Sequence, residues 1–188
     1  MTLWSLNLFI NASSILFDYD TYLSEPSYRA IETSKIIGYE DDAYNMDNKS
    51  RITLLPKKLH HSDKIIKDFS AIKFFMYFNP DSDLAVNNEK LKLIKHVGSI
   101  CKVLDIPYLF EPLLYFDEDT NIDYHSYLLK KPIYIKSFYK EFSKEEYQVD
   151  IIKIEFPFNE FEVNGFENDN TSTIYSHENC SETHQQDV

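Results

Sequence analysis

Three ionisable side chains stand inside apolar runs where a strand would ordinarily carry none. Lys73 lies in Ala71-Ile-Lys-Phe-Phe-Met-Tyr-Phe78, Glu111 in Tyr108-Leu-Phe-Glu-Pro-Leu-Leu-Tyr-Phe116 and Lys153 in Val149-Asp-Ile-Ile-Lys-Ile-Glu-Phe156. Side chains alternate faces along a strand. Lys73 therefore shares a face with Ala71, Phe75 and Tyr77, and Glu111 with Leu109, Leu113 and Tyr115, while Lys153 and Glu155 share one with Ile151. The opposite faces, Ile72-Phe74-Met76-Phe78, Phe110-Pro112-Leu114-Phe116 and Ile152-Ile154-Phe156, are apolar and suit a helix layer. A buried unpaired charge costs several kcal/mol, about the penalty that pairing or neutralisation must offset. Two lysines and a carboxylate that converge would satisfy one another. An amine beside a second cation and partly desolvated becomes a nucleophile toward carbonyls, and a carboxylate next to it can carry the protons. On pattern alone, strand-end ion pairs with a structural role are the more economical account.

Elements able to position these residues follow from the surrounding pattern. Ser13–Asp18 is a short apolar run that ends in an acid, whereas Tyr28–Tyr39 suits a strand or a helix equally. A short helix over Leu59–Phe69 leads into the Ala71–Phe78 strand, which Asn79-Pro80-Asp81 closes. Ser82 or Asp83 can cap a long helix whose Leu91, Ile94, Val97, Cys101 and Leu104 mark one buried face. Pro107 introduces the strand Tyr108–Phe116, a helix around Tyr127–Phe142 must start or kink at Pro132, and Val149–Phe156 forms a further strand. Alternating strands and helices, with strands apolar on both faces, predict a parallel sheet in an α/β fold.

Composition narrows the partners. The 188 residues carry a net charge of −12 with 43% hydrophobic content, which fits one globular domain and excludes nucleic acid or an anionic membrane as the main partner. The 14 Tyr and 14 Phe lack the basic interleaving of a nucleic-acid stacking platform. Only 3 Gly are present, so turns must use Asn, Asp and Pro. Cys101 and Cys180 form no CxxC pair, a usage that suits a reducing cytoplasm. The apolar start, Met1–Ile10, lacks a basic leader region, and no run reaches transmembrane length. His60 and His61 are adjacent and would diverge on a helix, and His177, Cys180 and His184 lack a fourth ligand. No metal role is expected of either group. His96 and His125 are expected on the surface.

The three charged segments, in the forms Ala71–Phe78, Ile106-Pro-Tyr-Leu-Phe-Glu-Pro-Leu-Leu-Tyr-Phe-Asp-Glu118 and Val149-Asp-Ile-Ile-Lys-Ile-Glu-Phe-Pro-Phe-Asn159, resemble three consecutive strand motifs of class I tagatose 1,6-bisphosphate aldolases. Their order and spacing agree. Lys136-Ser-Phe-Tyr-Lys-Glu-Phe-Ser143 is similar to the family's helix before its Schiff-base strand, and weaker similarity runs from about residue 12 through Gly38-Tyr39 and Ser50-Arg51 to about Tyr175. The resemblance implies a (β/α)8 barrel and a lyase of carbohydrate catabolism in the tagatose 6-phosphate route. It makes Lys153 the Schiff-base lysine, Glu111 the proton-transferring acid/base, and Lys73 a second active-site lysine that neighbours the substrate and tunes the amine. The implied reaction cleaves tagatose 1,6-bisphosphate to dihydroxyacetone phosphate and glyceraldehyde 3-phosphate without cofactor or metal. The three residues are then expected at the C-terminal rim of adjacent strands.

The family's first strand, with its Asp-Gln-Arg loop, has no counterpart before Ser13, its last two strands would lie beyond Val188, and the chain is short between Lys64 and Ser70. The expectation is an incomplete barrel of about five to six strands over residues 12–170, between a non-matching segment at 1–11 and a polar, disordered tail at 171–188. Its uncovered edges would favour self-association. Two alternatives remain open: a related aldolase for another phosphorylated ketose, of the sulfofructose phosphate type, or a noncatalytic fragment.

Overall fold

The computed structural model describes residues 12–41, 50–56, 66–116 and 123–158. Strand β1 (Ser14–Asp18) is followed by a short helix, α1 (Tyr19–Ser24), which begins where the Asp18 carboxylate accepts from the Thr21 N–H. A 3-10 turn over Pro26–Ala30 leads to β2 (Ser34–Gly38), so the ambiguous Tyr28–Tyr39 stretch divides into a turn and a strand. Next come β3 (Ala71–Phe78), helix α2 (Leu84–Leu104), β4 (Tyr108–Leu114), helix α3 (Tyr124–Phe142) and β5 (Ile151–Ile152). Most of the helix expected over Leu59–Phe69 lies outside the described residues. Its described end is a single 3-10 turn, Ile66–Asp68.

All four pairings are parallel, and the strand order is sequential, β1-β2-β3-β4-β5. A sheet that adds each new strand on the same side, with helices between, has the wall topology of an α/β barrel rather than of a doubly wound sheet, whose order reverses. Among the described residues the sheet is open, β1 pairing only with β2 and β5 only with β4. β5 is shorter than the expected Val149–Phe156, pairing with β4 through Ile151 and Ile152.

Helix placement follows from capping and from the apolar stripe. Asp83 accepts from the N–H groups of Ala85 and Val86, and α2 ends at Asp105 in the left-handed conformation, φ 54. Asp123 caps α3 through Ser126. Pro132, expected to start or kink that helix, lies in its interior. The outer face of β3 (Ile72, Phe74, Met76, Phe78) and of β4 (Tyr108, Phe110, Leu114) is buried against Ile94, Val97 and Cys101 of α2 and Ile135, Phe138 and Phe142 of α3. The Phe142 ring meets those of Phe78, Phe110 and Tyr147 at centroid distances of 5.3, 4.8 and 5.5 Å. Burial of each such side chain stabilises by about 1.5–3 kcal/mol. The helices therefore cover the wholly apolar strand faces, and the faces with Lys73 and Glu111 turn the other way. No helix among the described residues is long and apolar enough to cross a membrane.

Candidate active site

β3 pairs with β4 so that Phe75 lies opposite Glu111, and β4 pairs with β5 so that Phe110 lies opposite Ile152, one residue before Lys153. The ladder continues one bond further, with Lys153 N–H donating to the Phe110 carbonyl at 2.9 Å. Register alone thus brings Lys73, Glu111 and Lys153 to neighbouring places on one face. Glu111 holds the two lysines together: Oε2 lies 3.1 Å from Lys73 Nζ and Oε1 lies 2.6 Å from Lys153 Nζ. Each ammonium meets the carboxylate between them. Lys73 and Glu111 are 11% and 16% exposed at the side chain, whereas Lys153 is 62% exposed, so the lysine on the last strand faces the open side of the cluster.

A fourth member, Glu40, escapes the sequence reading. It follows the end of β2, and its Oε1 lies 2.6 Å from Lys73 Nζ while its Oε2 accepts from the Phe75 N–H at 3.0 Å. Since β2 stops at Gly38, the upper part of β3 has no strand partner on that side. Glu40 takes the Phe75 N–H, and Thr53 Oγ1 donates to the Phe75 carbonyl at 2.9 Å. Its only mark in the sequence is an acid two residues after the short apolar strand β2, outside the alternation that marks the other three. Glu155, on the Lys153 face, turns away from the lysines and accepts from the Leu114 N–H at 3.4 Å.

Of the three residues expected at the rim, Lys153 alone follows the end of its strand, as does the unexpected Glu40. Glu40 and Lys153 follow the last residues of β2 and β5, but Lys73 and Glu111 lie within β3 and β4. The two central strands extend past their neighbours, so the cluster sits partway up the sheet with β3 and β4 rising above it.

The two carboxyls have opposite electrostatics. Burial raises the Glu40 carboxyl above its ordinary value, against the pull of Lys73 and of the Phe75 N–H. Burial also opposes ionisation of Glu111, yet its bonds to Lys153 and Lys73 outweigh that and hold it below its ordinary value. The two carboxyls are thus shifted in opposite directions, an arrangement suited to proton transfer. Cys101 is buried in the helix layer, which pushes its thiol up to about 12; it has no part in the cluster. His96 and His125 are exposed. Among the described residues no group of His, Cys, Asp and Glu could hold a metal ion. His60, His61, His177, Cys180 and His184 lie outside the described residues, as do the segments 1–11 and 171–188.

Residues 6–186 match the model of the DeoC/LacD family of aldolases. The chain is 35% identical over 158 residues to tagatose 1,6-diphosphate aldolase 2 of Streptococcus pyogenes serotype M1. It is 30% identical over 155 residues to the tagatose 1,6-diphosphate aldolases of Listeria monocytogenes serotype 4a (strain HCC23) and Listeria innocua serovar 6a. Each alignment covers 82% of this chain but 47% or 46% of the relative, so the chain spans about half the length of the curated relatives it matches. A family model matching nearly the whole chain, on a sequential parallel α/β sheet, shows that the chain belongs to the DeoC/LacD aldolase family.

Proposed function

We propose that the protein provides the carbon-centre chemistry of a class I aldolase acting on tagatose 1,6-bisphosphate. Lys153 is the Schiff-base amine, Glu111 the proton carrier, and Lys73 the second lysine at the substrate. The observation that carries this reading is the Glu111 carboxylate shared between a largely buried lysine and an exposed one.

In this mechanism Glu111, ionised at neutral pH, takes a proton from the Lys153 ammonium. The free amine adds to the ketose carbonyl at C2, and the carbinolamine loses water as a carboxyl returns the proton. The protonated imine then accepts the electron pair of the C3–C4 bond as the C4 hydroxyl gives up its proton. Glyceraldehyde 3-phosphate leaves, and an enamine remains on Lys153. Protonation at C3 and hydrolysis of the imine release dihydroxyacetone phosphate and restore the amine. Lys73, held by Glu40 and Glu111, supplies positive charge toward oxygen atoms of the substrate.

The test is borohydride reduction of the chain in the presence of dihydroxyacetone phosphate, followed by peptide mapping. Label at Lys153 that is lost in Lys153→Ala supports the assignment. Uniform labelling of surface lysines overturns it.

A further inference from the structure

Above the lysine cluster, the site-facing side of β3 and β4 ends in two aromatic rings, Tyr77 and Tyr115. The Arg51 guanidinium lies over both, 5.1 Å from each centroid. Arg51 adopts a left-handed backbone, φ 47, unusual for a residue with a long side chain. Its neighbours are fastened tightly. The fully buried Lys90 donates to the Tyr115 hydroxyl at 2.8 Å, and that hydroxyl donates to the Ser50 carbonyl at 3.2 Å. On the other side Thr53 is tied to Phe75, and the Leu54 carbonyl accepts from the Asp41 N–H at 2.8 Å. Strand, helix and loop thus hold one half-buried cation in a costly conformation, and among the described residues no carboxylate lies within ion-pair distance of it.

We infer that Arg51 binds the phosphate of the ketose remote from the reacting carbonyl. Glu111 is level with Phe75 in the β3–β4 register. Tyr77 and Tyr115 therefore stand two and four strand residues above the level of Glu111, roughly 7–13 Å. That height matches the far end of an extended six-carbon bisphosphate whose C2 lies at Lys153, and it is out of reach of a three-carbon monophosphate bound there. The two rings flank the guanidinium, whose planar fork of N–H donors matches the geometry of phosphate oxygens. In a chain of net charge −12, a cation with no acid at ion-pair distance among the described residues marks where an anion belongs. The inference rests on the bisphosphate reading above and adds a residue that sets specificity for the second phosphate.

The experiment is calorimetric titration of the full chain with a hexitol 1,6-bisphosphate, which has no carbonyl and so binds without imine formation. Wild type should bind it, and Arg51→Gln should weaken binding roughly tenfold to a hundredfold. Arg51→Lys, which keeps the charge but loses the fork, should fall between them. Borohydride trapping of dihydroxyacetone phosphate at Lys153 should be unchanged in both variants, which also reports an intact site. No binding to wild type, or equal binding to wild type and Arg51→Gln, overturns the inference. Arg51-dependent binding without any trapping at Lys153 would instead sink the Schiff-base reading and leave Arg51 standing.

Discussion

Glu111 Oε1 lies 2.6 Å from Lys153 Nζ, the carboxylate being largely buried and the ammonium largely exposed. Such a pair is asymmetric: the acid is fixed by β4 and by its second bond to Lys73, while the lysine can swing into solvent to meet a substrate. Replacement of Glu111 by Gln preserves shape but removes the proton acceptor. Trapping of dihydroxyacetone phosphate at Lys153 near neutral pH should slow by about a hundredfold or more. Rates within a factor of two of wild type would show that another group carries the proton.

The two carboxyls predict opposite pH dependences. Glu111 lies below its ordinary value of 4.5, so its contribution to stability is present above that value and is lost as pH falls through its folded-state value. Glu40 lies above 4.5, so its contribution is full below that value and is lost as pH rises through the raised one. Relative to wild type, Glu111→Gln should cost more stability as pH rises from acid to neutral, whereas Glu40→Gln should cost less. Thermal midpoints measured across that range decide the point, and parallel pH trends for the two variants would contradict it.

How much of this was legible in the sequence depended on length and period. β3 and β4 are long enough for alternation to show their facing, and α2 repeats its apolar residues over 21 positions, so Lys73 and Glu111 could be singled out and Lys153 matched to them. Glu40 could not be found the same way. β2 has five residues, too few for a period, and Glu40 opens the run Glu-Asp-Asp42, which composition assigns to a solvated loop. Arg51 lies on a segment with no regular structure, where spacing carries no information. Its position is set by the Tyr115 and Thr53 hydroxyls, whose partners are 65 and 22 residues away. Local pattern cannot report such contacts.

Gly98 gives a packing test independent of the site. A Cβ there would lie 2.0 Å from the Tyr147 carbonyl oxygen, a backbone atom of the 3-10 turn Glu145–Tyr147 that precedes β5. Gly98→Ala must push that turn off α2, at a cost of about 1–3 kcal/mol or more. The thermal midpoint should fall by several degrees. At Gly38 the corresponding atom would sit 3.5 Å from its neighbours, an ordinary contact, so Gly38→Ala should be nearly neutral. Equal effects at the two positions would show that α2 and the turn are not in close contact.

Cys101 provides a last test, of the helix layer rather than of the chemistry. Cys101 is 2% exposed on the sheet-facing side of α2, and burial, with Asp150 adding to it, raises its thiol from 9.0 to about 12. The thiolate is the reactive form, so the folded chain near pH 8 should react with iodoacetamide at Cys101 far more slowly than the denatured chain does. The same shift implies a stability term that is full below about pH 9 and declines as pH rises toward 12, because the unfolded thiol ionises first. Cys101→Ala should remove this alkaline loss at a fixed cost of about 1 kcal/mol for the lost side-chain packing. Peptide mapping after alkylation keeps Cys101 separate from Cys180. Rapid native-state labelling of Cys101 at pH 8 would mean that α2 opens readily, and the packing of α2 and α3 on β3 and β4 would then need revision.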